Sequence, residues 1–221
     1  MLITALRYLH VVAGFVALTA MWVPLVVQKG NKLHRQVGWM YVFAMFTAAL
    51  AAIAIAPLRM AELPSEAWGR PLFLAYVGLL SLTAAFRGVR TCRDKARAGP
   101  SRSLADLGPP LLLLVATAAI AGYGIASGLT LALYFAPVGL LVAVPYLRDA
   151  RAVSRSRLAW LIGHIGAMLA SSIATVTAFL VVNAARFVGP EGQLVAWLAP
   201  SVVGTGLIVV FTRRYRRSAR S

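Results

Sequence analysis

The sequence predicts an all-α integral membrane protein, a single domain over residues 1–221 that forms a bundle of seven transmembrane helices. Composition is the first reason, since 60% of the residues are hydrophobic and only 13% are charged. The mean hydropathy is +0.79, whereas ordinary soluble domains are about half apolar and about a quarter charged. A soluble fold of this size cannot bury so much apolar surface, so the excess is expected to face lipid.

The second reason is the length of the apolar stretches. A helix that crosses the membrane needs about 20 mostly apolar residues, and lipid leaves no partner for backbone groups outside a helix or a closed barrel. The fourth and fifth stretches are separated by Ser127 and Gly128 alone, which predicts a tight hairpin or, if one of them is re-entrant, five or six spans. The seven predicted spans cover residues 8–27, 37–56, 72–86, 107–126, 129–147, 158–185 and 194–212.

The distribution of lysine and arginine predicts the orientation. The chain has 22 basic and 6 acidic residues, and most of the basic residues follow the first, third and fifth spans or lie in the C-terminal tail. Because cytoplasmic segments carry the excess of positive charge, the N-terminus is expected outside and the C-terminus in the cytoplasm. Seven spans place every basic segment inside, and an even number would break that pattern.

Several classes of function are excluded by the sequence. A net charge of +16 would suit a nucleic-acid partner, but the basic residues stand at the ends of apolar spans, so none is expected. The single cysteine, Cys92, excludes an intrachain disulfide and a site with several thiolates. No nucleotide-binding loop, nucleophile elbow or zincin motif is present, which disfavours an ATPase or a hydrolase.

Three segments carry a family resemblance: LHVVAGFVALTAMWVPLVVQKGNKLHRQVGWMYVFAM, HIGAMLASSIATVTAFLVVN and WLAPSVVGTGLIVVFTRRYRR. Together they resemble a bacterial family of predicted multi-helix inner-membrane proteins, catalogued as a domain of unknown function. The resemblance implies a multi-pass protein of the bacterial inner (plasma) membrane and places His10, His34 and His164 at positions typical of the family. A basic residue that often precedes the methionine of the sixth span is replaced here by Ala167.

The histidines are the main candidates for chemistry, because an ionisable side chain in a span is expensive and is a functional candidate by default. His34 and His164 are predicted at the cytoplasmic end, at the depth of Asp106, whereas His10 lies near the outer end of the first span. The set His34, His164 and Asp106 would bind a metal ion or form a hydrogen-bonded cluster. The two imidazoles would alternatively ligate a single haem.

The sixth span also carries a polar stripe. Met168, Ser171 and Thr175 follow His164 at spacings that place all four on one helical face. The stripe would line a binding site, with Met168 as a second soft ligand. Alternatively its hydroxyls hydrogen-bond across a helix interface and its methionine fills the core.

A second group of polar residues is predicted near the outer end of the bundle, where His10, Tyr76, Tyr123 and Asn183 share a similar depth. They would form a pocket for a quinone head group or another small hydrophobic ligand. The alternative for the tyrosines is a belt of aromatic residues at the membrane interface.

Three classes of function remain open. A small redox module that binds metal or haem is preferred, because histidines dominate the polar residues within the spans. A small-molecule transporter would use the hydroxyls of the sixth span and a kink at Pro137, but the chain lacks internal repeats and mid-span carboxylates. An accessory subunit of a membrane complex, or a homo-oligomer, is the third.

Overall fold

The computed structural model describes residues 1–97, 99–154, 156–187 and 192–218. These residues form helices and no strand, so the all-α prediction is confirmed for this part of the chain. A short 3-10 turn at Ser65–Ala67 precedes α4. The helices are α1 (Leu2–Ala20), α2 (Trp22–Val26), α3 (Lys32–Met60), α4 (Gly69–Arg93), α5 (Leu104–Ser127), α6 (Thr130–Arg151), α7 (Ala159–Phe187) and α8 (Gln193–Ser218).

Seven segments within the described ranges are long and apolar enough to cross a membrane, as the sequence predicted. The first combines α1 and α2, and both helices of the predicted hairpin, α5 and α6, are of spanning length. The third segment, Ser65–Arg93, is much longer than the predicted 72–86. It continues past Arg87, whose guanidinium lies over the Tyr146 ring at 5.2 Å from the ring centre, a cation–π contact that accommodates the charge.

The turns between helices follow from local chemistry. Gly128 adopts a left-handed conformation with φ 72°, which ends α5 and allows α6 to turn back immediately. Lys29 donates to the carbonyls of Pro24 and Leu25 at the end of α2, at 2.7 and 2.6 Å. Partial burial lowers the pKa of this lysine below its ordinary value. Asn31 then caps α3 by accepting from the backbone N–H of His34.

Helix α4 occupies the centre of the packing. Helices α3, α5, α6 and α7 all contact it, while α1 packs on α3 and α8 packs on α7. One buried cluster joins α1, α3 and α4 through small side chains, among them Ala17, Ala20 and Ala85. Small residues let helix backbones approach closely in a membrane, where packing rather than water drives association.

The outer surface of the bundle is apolar. Large hydrophobic side chains stand exposed on α1, α3, α5 and α8, including Val12, Phe43, Val115 and Val202. Apolar surface of this extent on a soluble monomer would cause aggregation, and here it lies on helices of spanning length. The protein is therefore a multi-pass membrane protein in contact with the lipid bilayer.

All three aspartates of the chain lie in one ion-pair network at the end of the bundle where α4 terminates. Asp106, in the first turn of α5, accepts two hydrogen bonds from Arg90, at 2.8 and 3.0 Å. Asp94 and Arg97 continue the network to Asp149 at the end of α6. The network ties α4, α5 and α6 together at the point where their ends leave the apolar layer.

We expect Asp106→Ala to destabilise the protein by about 3 kcal/mol. That value is the lower end of the about 3–5 kcal/mol range for breaking a buried pair, because the Arg90 side chain keeps 25% of its surface exposed. Unfolding in detergent measures the change. Glu62→Ala, which breaks the exposed Arg59–Glu62 pair, is the control and should cost at most about 1 kcal/mol. Equal losses in the two variants would contradict a structural role for the network.

The orientation stays a prediction, and impermeant thiol labelling of intact cells tests it. In a Cys92→Ser background, Glu66→Cys should react, because the loop between the second and third spans is expected outside. Arg102→Cys should react only after the membrane is opened. Both positions are exposed in the structure. The reverse pattern would show that the basic end faces outward.

Candidate functional site

His34 and His164 lie side by side at the end of the bundle where α3 and α7 begin. The centres of the two imidazole rings are 6.3 Å apart, and the ring planes are inclined by 59°. Asn31 fixes the first turn of α3 and hence the position of His34. The Nδ1 atom of His34 is buried and has no hydrogen-bond partner among the described residues. A buried ring nitrogen without a partner is uncommon and calls for a physical explanation.

His164 is held by the backbone of α4. Its Nδ1 atom lies 2.8 Å from the carbonyl oxygen of Gly88, and because a carbonyl only accepts, Nδ1 carries the proton. In the neutral ring the lone pair is then on Nε2. A hydrogen bond from the other ring nitrogen to a backbone carbonyl is the usual way in which a metal-binding imidazole is oriented.

Two sulfur atoms lie near the contact between His164 and the Gly88 backbone. The Cys92 Sγ lies 3.2 Å from His164 Nδ1, and the Met168 side chain covers Gly88 so closely that a Cβ there would be within 3.0 Å of its sulfur. The sequence reasoning used Cys92 to exclude a disulfide and missed its position beside His164. A signal was available, because Cys92 follows the third predicted span and therefore lies at the same predicted end of the bundle as His34 and His164.

Asp106 does not complete a three-ligand site with the histidines. Its carboxylate is engaged by Arg90 and by the Ser101 hydroxyl, at 2.6 Å. In the part of the chain that the structure describes, no group of three or more His, Cys, Asp or Glu side chains could hold a metal ion. Asp106 was expected beside the histidines because its predicted depth in the membrane is similar to theirs. In the structure its carboxylate on α5 pairs with the Arg90 guanidinium, which faces it from α4.

The polar stripe of the predicted sixth span lies on the face of α7 that packs toward α3 and α4. The Tyr41 hydroxyl donates to Ser171 Oγ at 2.7 Å. Thr175 lies 3.3 Å from the Met45 sulfur and 3.2 Å from the Ser171 carbonyl, to which its hydroxyl donates. Ser171 and Thr175 therefore join two helices, which is the interface alternative for these hydroxyls.

The four residues predicted near the outer end each have a different neighbour. The Nδ1 atom of His10 donates to the Ala48 carbonyl at 2.8 Å, so this histidine joins α1 to α3. The Tyr76 hydroxyl contacts the Phe135 carbonyl and Thr117 at the α4–α5–α6 interface. Asn183 donates to the Phe179 carbonyl on its own helix, and the Tyr123 ring packs beside Gly69. These contacts give each of the four side chains a different set of neighbours, and a shared pocket for them stays a prediction.

The geometry thus defines a multi-pass helical membrane protein with a histidine pair at one end of its bundle. The chain is similar over residues 7–100 to a family described as "Predicted membrane protein (DUF2306)". The predicted resemblance to a membrane-protein family of unknown function is therefore confirmed over this stretch. Residues 7–100 contain the first three predicted spans, with His10 and His34. No curated protein matches the chain, and no solved structure matches it.

We expect Tyr41→Phe to lower the stability of the bundle without changing any metal content. The variant removes the hydrogen bond to Ser171, and interhelical hydrogen bonds in membranes contribute about 0.6 kcal/mol on average and up to about 1.7 kcal/mol. Unfolding in detergent and elemental analysis measure the two quantities. Tyr134→Phe, at an exposed tyrosine, is the control. Loss of metal in Tyr41→Phe alone would place Ser171 in the site rather than in the interface.

Proposed function

We propose that the protein is a small metal-binding or redox module of the bacterial inner membrane. His34 and His164 bind a transition-metal ion, either directly or as the iron of a haem, at the cytoplasmic end of the bundle. One observation carries the proposal, the arrangement of the two imidazole rings. The Nδ1 atom of His34 is buried without a partner, and the centres of the two rings are 6.3 Å apart. The Nδ1–H of His164 is donated to a backbone carbonyl, which leaves its other ring nitrogen available.

The separation of the rings suits a shared ion. With metal–nitrogen bonds of about 2.0–2.1 Å, two imidazoles on opposite sides of one ion have their nitrogens about 4 Å apart and their ring centres about 6 Å apart. The observed 6.3 Å matches that distance. Imidazole nitrogens bind zinc, copper and iron, whereas magnesium and calcium prefer oxygen ligands, so the donor set supports a transition metal.

The surroundings of the pair favour tight binding. Gly88 orients His164, while Cys92 and Met168 place polarisable sulfur nearby. Met168 also packs against the apolar cluster between α1, α3 and α4. An apolar shell limits the access of water and thereby sets both the affinity and the redox potential of a bound metal. When bound, the metal would supply electron transfer or Lewis acidity, and the chain's own residues hold and orient the imidazoles.

The transporter alternative has less support. It relied on hydroxyls of the sixth predicted span and on the kink at Pro137 to line a path. The hydroxyls of Ser171 and Thr175 are used between helices, and α6 runs through Pro137 as one helix from Thr130 to Arg151. An accessory role in a larger complex stays a prediction that co-purification would test.

Metal content and visible absorbance of the purified protein test the proposal. After reconstitution with zinc, copper(I) or haemin, we expect the wild type to retain one of them in stoichiometric amount. His34→Ala and His164→Ala should each weaken retention by more than the roughly 10–100-fold that follows loss of a second-shell partner. His10→Ala is the matched control, because that histidine bonds Ala48, and it should retain the wild-type content.

Two results would overturn the proposal. The first is a folded wild-type protein that retains none of the three after reconstitution. The second is retention in the two site variants that equals retention in His10→Ala. Circular dichroism and a monodisperse elution profile show that each variant is folded, so that loss of metal is not mistaken for loss of structure.

A further inference from the structure

Helices α3 and α5 pack on either side of α4 and leave a lateral groove of about 370 Å³ between them. The groove opens to the lipid at its rim, where Leu50 of α3 and Leu112 of α5 are 53% and 56% exposed. Its floor is formed by α4 and includes Thr83 and Phe86, and Phe46 stands on the wall contributed by α3. A ligand dissolved in the bilayer would reach it without passing through water.

Thr83 is the one polar side chain that lines this groove. It is only 2% exposed, and its hydroxyl has no hydrogen-bond partner in the described part of the chain. The other buried serines and threonines of that part all make hydrogen bonds, including Thr117, Ser171 and Thr177. The Thr83 oxygen is not among the fully buried atoms without a partner, so it is accessible from the groove that Thr83 lines. A hydroxyl without a partner is costly in lipid, so the groove has a donor that lacks an acceptor.

The depth of Thr83 narrows the choice of ligand. Thr83 lies near the middle of α4, seven residues before Arg90 of the ion-pair network, which is about 10 Å at 1.5 Å per residue. The hydrocarbon layer is about 30 Å thick, so the hydroxyl is expected well inside the apolar layer, about a third of the way across. The carbonyls of phospholipid esters stay at the interface and do not reach it, and a plain acyl chain would leave the hydroxyl unpaired.

We propose that this groove binds the head group of an isoprenoid quinone, with the Thr83 hydroxyl donating to one quinone carbonyl. A quinone is soluble in the membrane interior, carries carbonyl acceptors on a planar ring, and has an apolar tail that can leave through the open rim. Phe46 and Phe86 supply aromatic rings beside it. A mainly apolar site with one well-placed polar group is the usual composition of a small-molecule pocket.

The groove is separate from the histidine pair. Thr83 and Gly88 are five residues apart on α4, which places them about 140° apart around the helix. Gly88 faces His164 on α7, whereas Thr83 faces the groove between α3 and α5. Quinone binding therefore does not depend on a metal at the histidines, and His34→Ala should bind quinone as the wild type does even if the metal proposal fails.

Titration of the full chain in detergent with decylubiquinone and a short-chain menaquinone tests the inference. We expect saturable binding that is about three- to tenfold weaker in Thr83→Val, which is the change for one lost hydrogen bond. Thr83→Ser keeps the hydroxyl and should bind within about twofold of the wild type. Thr47→Val is the matched control, because that threonine bonds the Phe43 carbonyl of its own helix and lies outside the groove.

Leu112→Trp gives a second variant that does not remove any internal contact of the core, since Leu112 is on the exposed rim. The larger side chain should fill the groove and abolish quinone binding while the protein stays folded. The inference is overturned if the wild type shows no saturable binding, or if Thr83→Val binds as tightly as Thr47→Val. The inference is also overturned if palmitate displaces the quinone at equal concentration. That result would show that the groove binds acyl chains without selectivity for a quinone.

Discussion

The need to satisfy polar groups without water determines most of this structure. In a hydrocarbon layer each backbone N–H and C=O must find a partner within the protein, so the described chain is helical. Side chains obey the same constraint: Tyr41 pairs with Ser171, Tyr76 pairs with the Phe135 carbonyl, and His10 pairs with Ala48. In the described ranges, the Nδ1 atom of His34 and the hydroxyl of Thr83 have no hydrogen-bond partner, and these are the groups on which the ligand proposals rest.

Helix α4 connects these features because four other helices contact it. Its Gly88 carbonyl orients His164, its Arg90 holds Asp106, and its Thr83 lies in the lateral groove. Glycine at position 88 allows Met168 to lie directly over the backbone, because a Cβ there would overlap with the methionine side chain. A metal site and a quinone site on opposite faces of one rigid helix would have a fixed separation, which suits electron transfer between them.

The sequence predicted at which end of the bundle the site residues lie, but it did not predict which side chains they contact. Counting residues from the ends of the spans placed His34 and His164 at one end of the membrane, and their rings are indeed neighbours there. The same count placed Asp106 beside them, although it pairs with Arg90 instead. It also grouped Tyr76 with His10, although they belong to different interfaces. Residues of equal depth meet only if their helices are adjacent and rotated toward each other.

The sequence by itself determined that the chain is helical, that it belongs in a membrane and that it has seven segments long and apolar enough to cross one. These properties depend on length, hydropathy and the position of charges, which are local along the chain. The tertiary structure alone decided that Cys92 lies beside His164, that the aspartates form an ion-pair network and that the Thr83 hydroxyl has no hydrogen-bond partner among the described residues. Those outcomes depend on which helix faces which, and in lipid that is set by the fit of small side chains rather than by hydrophobicity.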